Sequence, residues 1–156
     1  MNSQPLARLH GLVWTALLAA AVAGGAWISL PIGPVPVSLQ PLFVFLAGFV
    51  LGPRQGALCV GLYVLAGALG LPVFAGGRAG LGHVLGPTGG YLFGFILSAA
   101  ACGLATGGKG GPLPWLKAAG FGTLALVAAY GPGVLWLRHS LGTDWPKTLA
   151  VGLVPF

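Results

Sequence analysis

There is no glutamate in this chain, and Asp144 is its only carboxylate. Paired-carboxylate catalysis, an H-E-x-x-H zinc arrangement and carboxylate-bound magnesium are therefore excluded within these 156 residues. Charge of either sign is scarce: Asp, Glu, Lys and Arg make up 5% of the residues, where soluble domains carry about a quarter. A water-facing surface cannot be assembled from so few charges. Cysteine is equally thin. Cys59 and Cys102 each lie inside an apolar run, with no C-x-x-C or Cys/His spacing, so neither a disulfide nor a metal site is expected. No G-x-S-x-G occurs. Proton relays at membrane depth use Asp, Glu or His, and only His83 lies near a candidate site, which speaks against proton-driven transport.

What is present is apolar surface, glycine and proline. The chain is 56% hydrophobic with a mean hydropathy of +0.94, and it holds 29 Gly and 13 Pro. This is the composition of an all-α integral membrane protein, with length for about five or six spans of ~20 residues in a single polytopic domain. Apolar runs cover 9–30, 38–51, 55–69, 88–105, 115–137 and 145–156. The second and third fall short of a full crossing, which predicts kinks, burial in the bundle or extension into neighbouring loops. Pro31, Pro34 and Pro36 close the first run, Gly52-Pro53 separates the second from the third, and Gly107–Pro112 separates the fourth from the fifth. The last run holds 12 residues, too few to cross as a helix, so the final helix is incomplete in this chain. Arg8, the apolar run after it and Ala21-Val22-Ala23 mimic a cleavable signal peptide, but the run continues to Leu30, which favours a retained span.

The net charge of +6 comes from residues set singly between apolar runs. There is no basic cluster with interleaved aromatics, so nucleic acid is not an expected partner. The charges read instead as topology. An inside N-terminus puts Arg8, Arg54, Lys109 and Lys117 in the cytoplasm and Arg78, Arg138 and Lys147 outside. The loops at 31–40, 70–87 and 138–147 then share the outer face, as three flaps over an outward-facing site. Two further patterns are read as ordinary. Val50-Leu51-Gly52-Pro53 recurs as Val84-Leu85-Gly86-Pro87, but Gly-Pro is a common helix-breaking turn and the flanks differ. Gly103–Gly110 nearly matches G-x-x-x-x-G-K-[ST], but Gly110 replaces the magnesium-binding hydroxyl and an apolar helix precedes it, so no ATPase is expected here.

The most informative stretch is Leu71-Pro72-Val73-Phe74-Ala75-Gly76-Gly77-Arg78, followed by Leu85-Gly86-Pro87-Thr88-Gly89-Gly90-Tyr91. Glycine lets backbone approach a ligand closely, and non-helical backbone at membrane depth persists only where it lines a cavity or is buried in protein. This reads as a small-molecule site. Arg78 is either a surface arginine reaching to lipid headgroups or a partner for a carboxylate or ureido oxygen. Thr88 is placed to cap the helix that follows, and Tyr91 serves equally as interfacial anchor or cavity wall. Gln40, at the mouth of the second run, both donates and accepts; the alternative is a solvent-facing Gln40 beside a capping Ser38. Phe74 suits an apolar pocket wall. His83 reads as a loop histidine and Trp27 as core or lipid contact. Ala16 and Ala20, four apart on the first helix, form a small-residue face of the kind that lets a partner helix pack closely.

Pro34-Val35-Pro36-Val37-Ser38-Leu39-Gln40, Leu46-Ala47-Gly48, Leu51-Gly52-Pro53-Arg54, Gly70–Gly77 and Leu85–Leu92 together resemble the BioY family. Its members are the biotin-specific substrate-binding (S) components of energy-coupling factor (ECF) transporters. The likeness runs over about residues 10–156, with Gly133–Leu137 and Val154-Pro155-Phe156 also fitting. It implies a six-helix S-component bundle, multi-pass in the bacterial inner membrane, that takes biotin from outside as a transported ligand and uses no cofactor. It also implies a transmembrane coupling subunit and two ATP-binding-cassette ATPases, which supply the hydrolysis this chain lacks. The Ala16/Ala20 face resembles the one such components turn toward their coupling subunit. Family members continue past Pro-Phe with Leu-Pro-Gly-Asp and a Lys three residues on, in the biotin site. Asp144 and Lys147 share that spacing but lie upstream of Val154 and do not match it.

The expectation is thus a biotin-capturing membrane subunit, not an enzyme. Gln40, Phe74, Gly76, Gly77, Arg78, Gly86, Thr88, Gly89, Gly90 and Tyr91 form its pocket and lid. A self-sufficient vitamin transporter and a small membrane enzyme built on His83 or a buried hydroxyl are the competing classes.

Overall fold

The computed structural model describes residues 4–31, 35–106 and 114–153. The Gly107–Pro112 loop, Pro34, and Val154-Pro155-Phe156 lie outside the described residues, as do the side chains of residues 4–8. In chain order the elements are α1 (Gln4–Trp27), β1 (Ser29–Leu30), β2 (Val37–Ser38), α2 (Gln40–Ala68), a 3₁₀ turn at Ala75–Gly77, α3 (Leu81–Val84), α4 (Gly89–Thr106), α5 (Trp115–Leu141) and α6 (Trp145–Gly152). Helix is what a segment in lipid must adopt, because it pairs every backbone group within itself. By length and composition four of these helices could cross a membrane, Leu9–Trp27, Gly89–Thr106, Trp115–Leu141 and, taken as one length across its break at Gly52, Gln40–Ala68.

α1 stops at Trp27, earlier than its apolar run. Ser29 pairs with Ser38 and Leu30 with Val37 in a short antiparallel ladder, and Leu39 N donates to Ile28 O at 3.2 Å. This draws residues 35–38 back over the end of the bundle. Upstream, α1 runs unbroken through Ala21-Val22-Ala23, and Val22 and Ala26 are fully buried in the core.

α2 holds two apolar runs in one element, folded back on itself. Gly52, at φ 82° and ψ 177°, lies in a region that side-chain-bearing residues avoid. The reversal brings the arms so close that a Cβ on Gly56 would sit 2.9 Å from Gly48 Cα. Eight residues of straight helix would hold them about 12 Å apart. The arms, 40–51 and 53–68, are about 18 and 24 Å long at 1.5 Å per residue. Gly86, in the matching tetrapeptide, has no positive φ, so the two copies differ in conformation.

α4 is the central helix, packed between α2 and α5. Glycines set the approach: a Cβ on Gly94 would meet Ala129 O of α5 at 2.5 Å, and one on Gly103 would overlap Gly52 and Pro53 at the turn of α2. Large apolar side chains point away from the bundle. Leu12, Leu17, Leu58, Leu62, Leu97, Leu104, Val127 and Leu135 are all exposed. Small residues between helices and leucine outside is the arrangement that lipid solvation favours.

Candidate ligand-binding site

The first arm of α2, the strap of residues 69–88, the start of α4 and the middle of α5 surround a small, partly open cavity of about 40 Å³. That is well under the volume of a typical small-molecule site, so the strap must move outward for a ligand of biotin's class to enter. Its walls are mostly apolar: Val35 and Pro36 come from the β1–β2 connection, Phe74 and Ala75 from the strap, Leu92 and Phe95 from α4. Tyr91 and Tyr130 meet edge to face with ring centroids 6.0 Å apart and close the α5 side.

Gln40 is the outstanding polar group. It is 4% exposed, lines the cavity, and its Nε2 has no hydrogen-bond partner. Ser38 Oγ accepts from its backbone N at 3.4 Å, so Ser38 does sit beside the helix start, but the Gln40 side chain is not solvent-facing. A buried amide donor left unpaired costs about 1–3 kcal/mol. Facing a cavity, it is a donor positioned for an acceptor on whatever fills the space.

Phe74 is fully buried, edge-on to Tyr63 at 5.6 Å and against His83 at 5.0 Å. It fits because position 67 is glycine; a Cβ there would overlap the ring. His83 and Thr88 form the polar side of the wall, with Nε2 and Oγ1 3.3 Å apart. The Thr88 hydroxyl is thus engaged with His83 instead of capping α4. Burial first, and the nearby Arg78 guanidinium second, hold His83 below the ordinary imidazole value, so the ring is neutral at neutral pH.

Of the expected site residues, Gln40, Phe74, Thr88 and Tyr91 line the cavity. Arg78 and Gly86 do not. They border a separate open recess, which also touches His83 and Thr88, so that pair is the partition between recess and cavity. Gly76 and Gly77, at φ +69° and +71°, shape the 3₁₀ turn that lets Phe74 N donate to Arg78 O at 3.0 Å. Gly89 and Gly90 serve packing: a Cβ on Gly89 would strike Val84 O, and one on Gly90 would strike Trp136 and Pro132 O of α5. Of the three loops expected to share one face, 138–147 borders a recess of its own with Arg138 and Asp144.

His83, Leu92, Phe95 and Tyr130 are cavity residues that the sequence reading did not assign. Thr88, Tyr91, Leu92 and Phe95 fall at i, i+3, i+4 and i+7, one helical face, so a signal for two of them was present. Tyr130 carries none; it arrives from another helix. Among the described residues, no three of His, Cys and Asp cluster in a way that would hold a metal. On α1, Leu18, Val22 and Ala26 face the core, while Ala16, Ala20 and Gly24 are exposed, and nothing lies within 4 Å of a Cβ built on Gly24.

A family profile described as the BioY family matches residues 1–156. The chain belongs to the BioY family. Among relatives of this BioY chain, a protein of Thermotoga maritima named biotin transporter BioY is 46% identical over 149 residues, 95% of this chain and 85% of that one. A Pyrococcus horikoshii protein named probable biotin transporter BioY is 42% identical over 141 residues, 90% of this chain and 81% of its own. The fold matches a crystal structure of the S-component for biotin from an ECF-type ABC transporter, with a TM-score of 0.84 and 27% identity over 99% of this chain and 83% of the other. The BioY chain is therefore a multi-pass membrane protein of a transporter family, with the S-component fold. That overturns the small-membrane-enzyme reading.

Proposed function

We propose that this chain is the biotin-capturing subunit of an ECF-type importer and that biotin occupies the cavity behind the strap. The observation that carries the reading is the unpaired, buried Gln40 Nε2 in an otherwise apolar chamber. Biotin offers a ureido carbonyl as acceptor and an apolar ring and stem for Phe74, Phe95 and Tyr130. Gln40 donates to an oxygen; the aromatic walls take the sulfur ring and alkyl chain; Tyr91 and the His83–Thr88 pair close the sides. Arg78, in the neighbouring recess, is the first cation an approaching carboxylate meets.

The chain sits in the inner membrane with its N-terminus in the cytoplasm, so the strap and cavity face outward. The exposed Ala16/Ala20 face of α1 is offered to a transmembrane coupling subunit, whose ATPases drive release inward.

Titration calorimetry in detergent, with biotin, desthiobiotin, biotinamide and thiamine, tests the substrate. Tight binding of biotin and none of thiamine is expected; equal affinity for both, or for neither, overturns it. Liposome uptake that appears only when the coupling module and ATP are added tests the partner. Uptake by the chain alone would favour a self-sufficient transporter.

A further inference from the structure

The strap that walls the cavity is tied near each end by an indole N–H from a different helix, and between them Gly80 N donates to Gly67 O of α2 at 2.7 Å. The strap carries Phe74, Ala75 and His83 into the cavity. Near its start, Trp27 Nε1, at the end of α1, donates to Pro72 O at 2.9 Å. Near its end, Trp136 Nε1 of α5 donates to Gly86 O, also at 2.9 Å.

The two ties are not equivalent. Trp136 is partly buried, and its Cβ abuts Gly90 at the α4–α5 contact, so it moves only if two helices separate. Trp27 is 61% exposed, and a Cβ on Gly77 would be 3.8 Å from its ring, an ordinary contact with no interlock. Little packing therefore supports this bond beyond the N–H itself. Between the ties, Gly76, Gly77 and Gly80 hold φ values of +69°, +71° and +92°, so the strap can bend where other residues would resist. Tyr63 Oη to Val73 O, at 3.2 Å, is a longer bond to the same segment.

We propose that Trp27 is a positioning residue for the cavity: its indole N–H holds the first half of the strap, and Phe74 with it, in the closed position. The Trp27–Pro72 bond breaks when the cavity opens, and the Trp136–Gly86 end is the hinge. The proposal rests on the preceding section only in taking this cavity as the ligand site.

Hydrogen–deuterium exchange of the whole ligand-free protein in nanodiscs tests it without a ligand. Trp27→Phe keeps the ring and removes the N–H. It is expected to speed exchange of the amides of Val73, Phe74, Gly77 and Gly80 by about threefold to tenfold, with α4 unchanged. In Trp136→Phe the increase reaches the start of α4. Biotin dissociation from Trp27→Phe rises by a similar factor, with association unchanged or faster. Unaltered strap exchange in Trp27→Phe overturns the latch, and so does a uniform rise through α1, α2 and α4, which marks a merely structural role. If strap exchange rises but biotin binds to neither protein, the latch stands and the biotin assignment falls.

Discussion

Gln40 holds its place because Pro41 follows it at the first turn of α2, where a missing N–H costs the helix nothing, and because the turn carries its side chain inward. An unpaired buried donor weakens the empty protein and strengthens the filled one. Gln40→Leu is therefore expected to move the two in opposite directions. Biotin affinity should drop about tenfold, while the ligand-free protein gains about 1 kcal/mol; calorimetry and thermal melting in detergent read the pair. Loss of affinity with equal loss of stability would make Gln40 a packing residue. His83 gives a pH test. Its folded value lies below the 6.5 of a free imidazole, so the unfolded chain takes up the proton more readily. Stability is full above about 6.5 and is lost as pH falls from there toward the lowered value in the fold. His83→Gln should flatten that part of the melting-temperature profile between pH 7.5 and 5. At this scale the sequence named Gln40, Phe74, Thr88 and Tyr91 as cavity residues, since each is polar or aromatic beside a helix break. It placed Arg78 in the pocket on its charge and the glycines around it, and the strap carries that residue to the neighbouring recess.

Elements meet here through glycine, and each such contact has a sign that can be checked. Gly90 abuts Trp136 and Pro132 O, and Gly90→Ala adds a methyl group where none fits. It should destabilise by about 1–3 kcal/mol and, by pushing α5 outward, weaken ligand retention as well. Gly52→Ala acts differently, by backbone strain at φ 82°, and should cost about 1–3 kcal/mol with little direct effect on the cavity, which lies at the other end of that arm. Thermal melting of both, with biotin dissociation as second readout, separates the two mechanisms. The Gly-Pro break at 52–53 was visible as a boundary between apolar runs. That it is a full reversal, with the arms in contact at Gly48 and Gly56, depends on α4 lying across it through Gly103.

For the molecule as a whole, the arrangement that matters is which end of the bundle faces out. With an inside N-terminus, a thiol introduced as Leu71→Cys should react with an impermeant maleimide on intact cells, and one introduced as Arg54→Cys only after permeabilisation. Both are made in a chain lacking Cys59 and Cys102, which are buried. The reverse pattern would put the strap in the cytoplasm and remove outward capture of biotin.

The sequence by itself determined the solvent of this protein, its helical class and the breaks between its helices. Hydropathy, scarce charge and Gly/Pro placement act locally and are readable residue by residue. It also excluded paired-carboxylate chemistry within the chain, because glutamate is missing and Asp144 stands alone. Only the tertiary structure decided that Gln40 is buried without a partner, that Tyr130 of α5 faces Tyr91 of α4, and that Gly89 and Gly90 serve packing while His83 lines the cavity. The reason is geometric. Each depends on which helix lies beside which, and at what distance, and in a bundle of similar apolar helices that is settled by the fit of glycines and side chains between them, not by any local pattern.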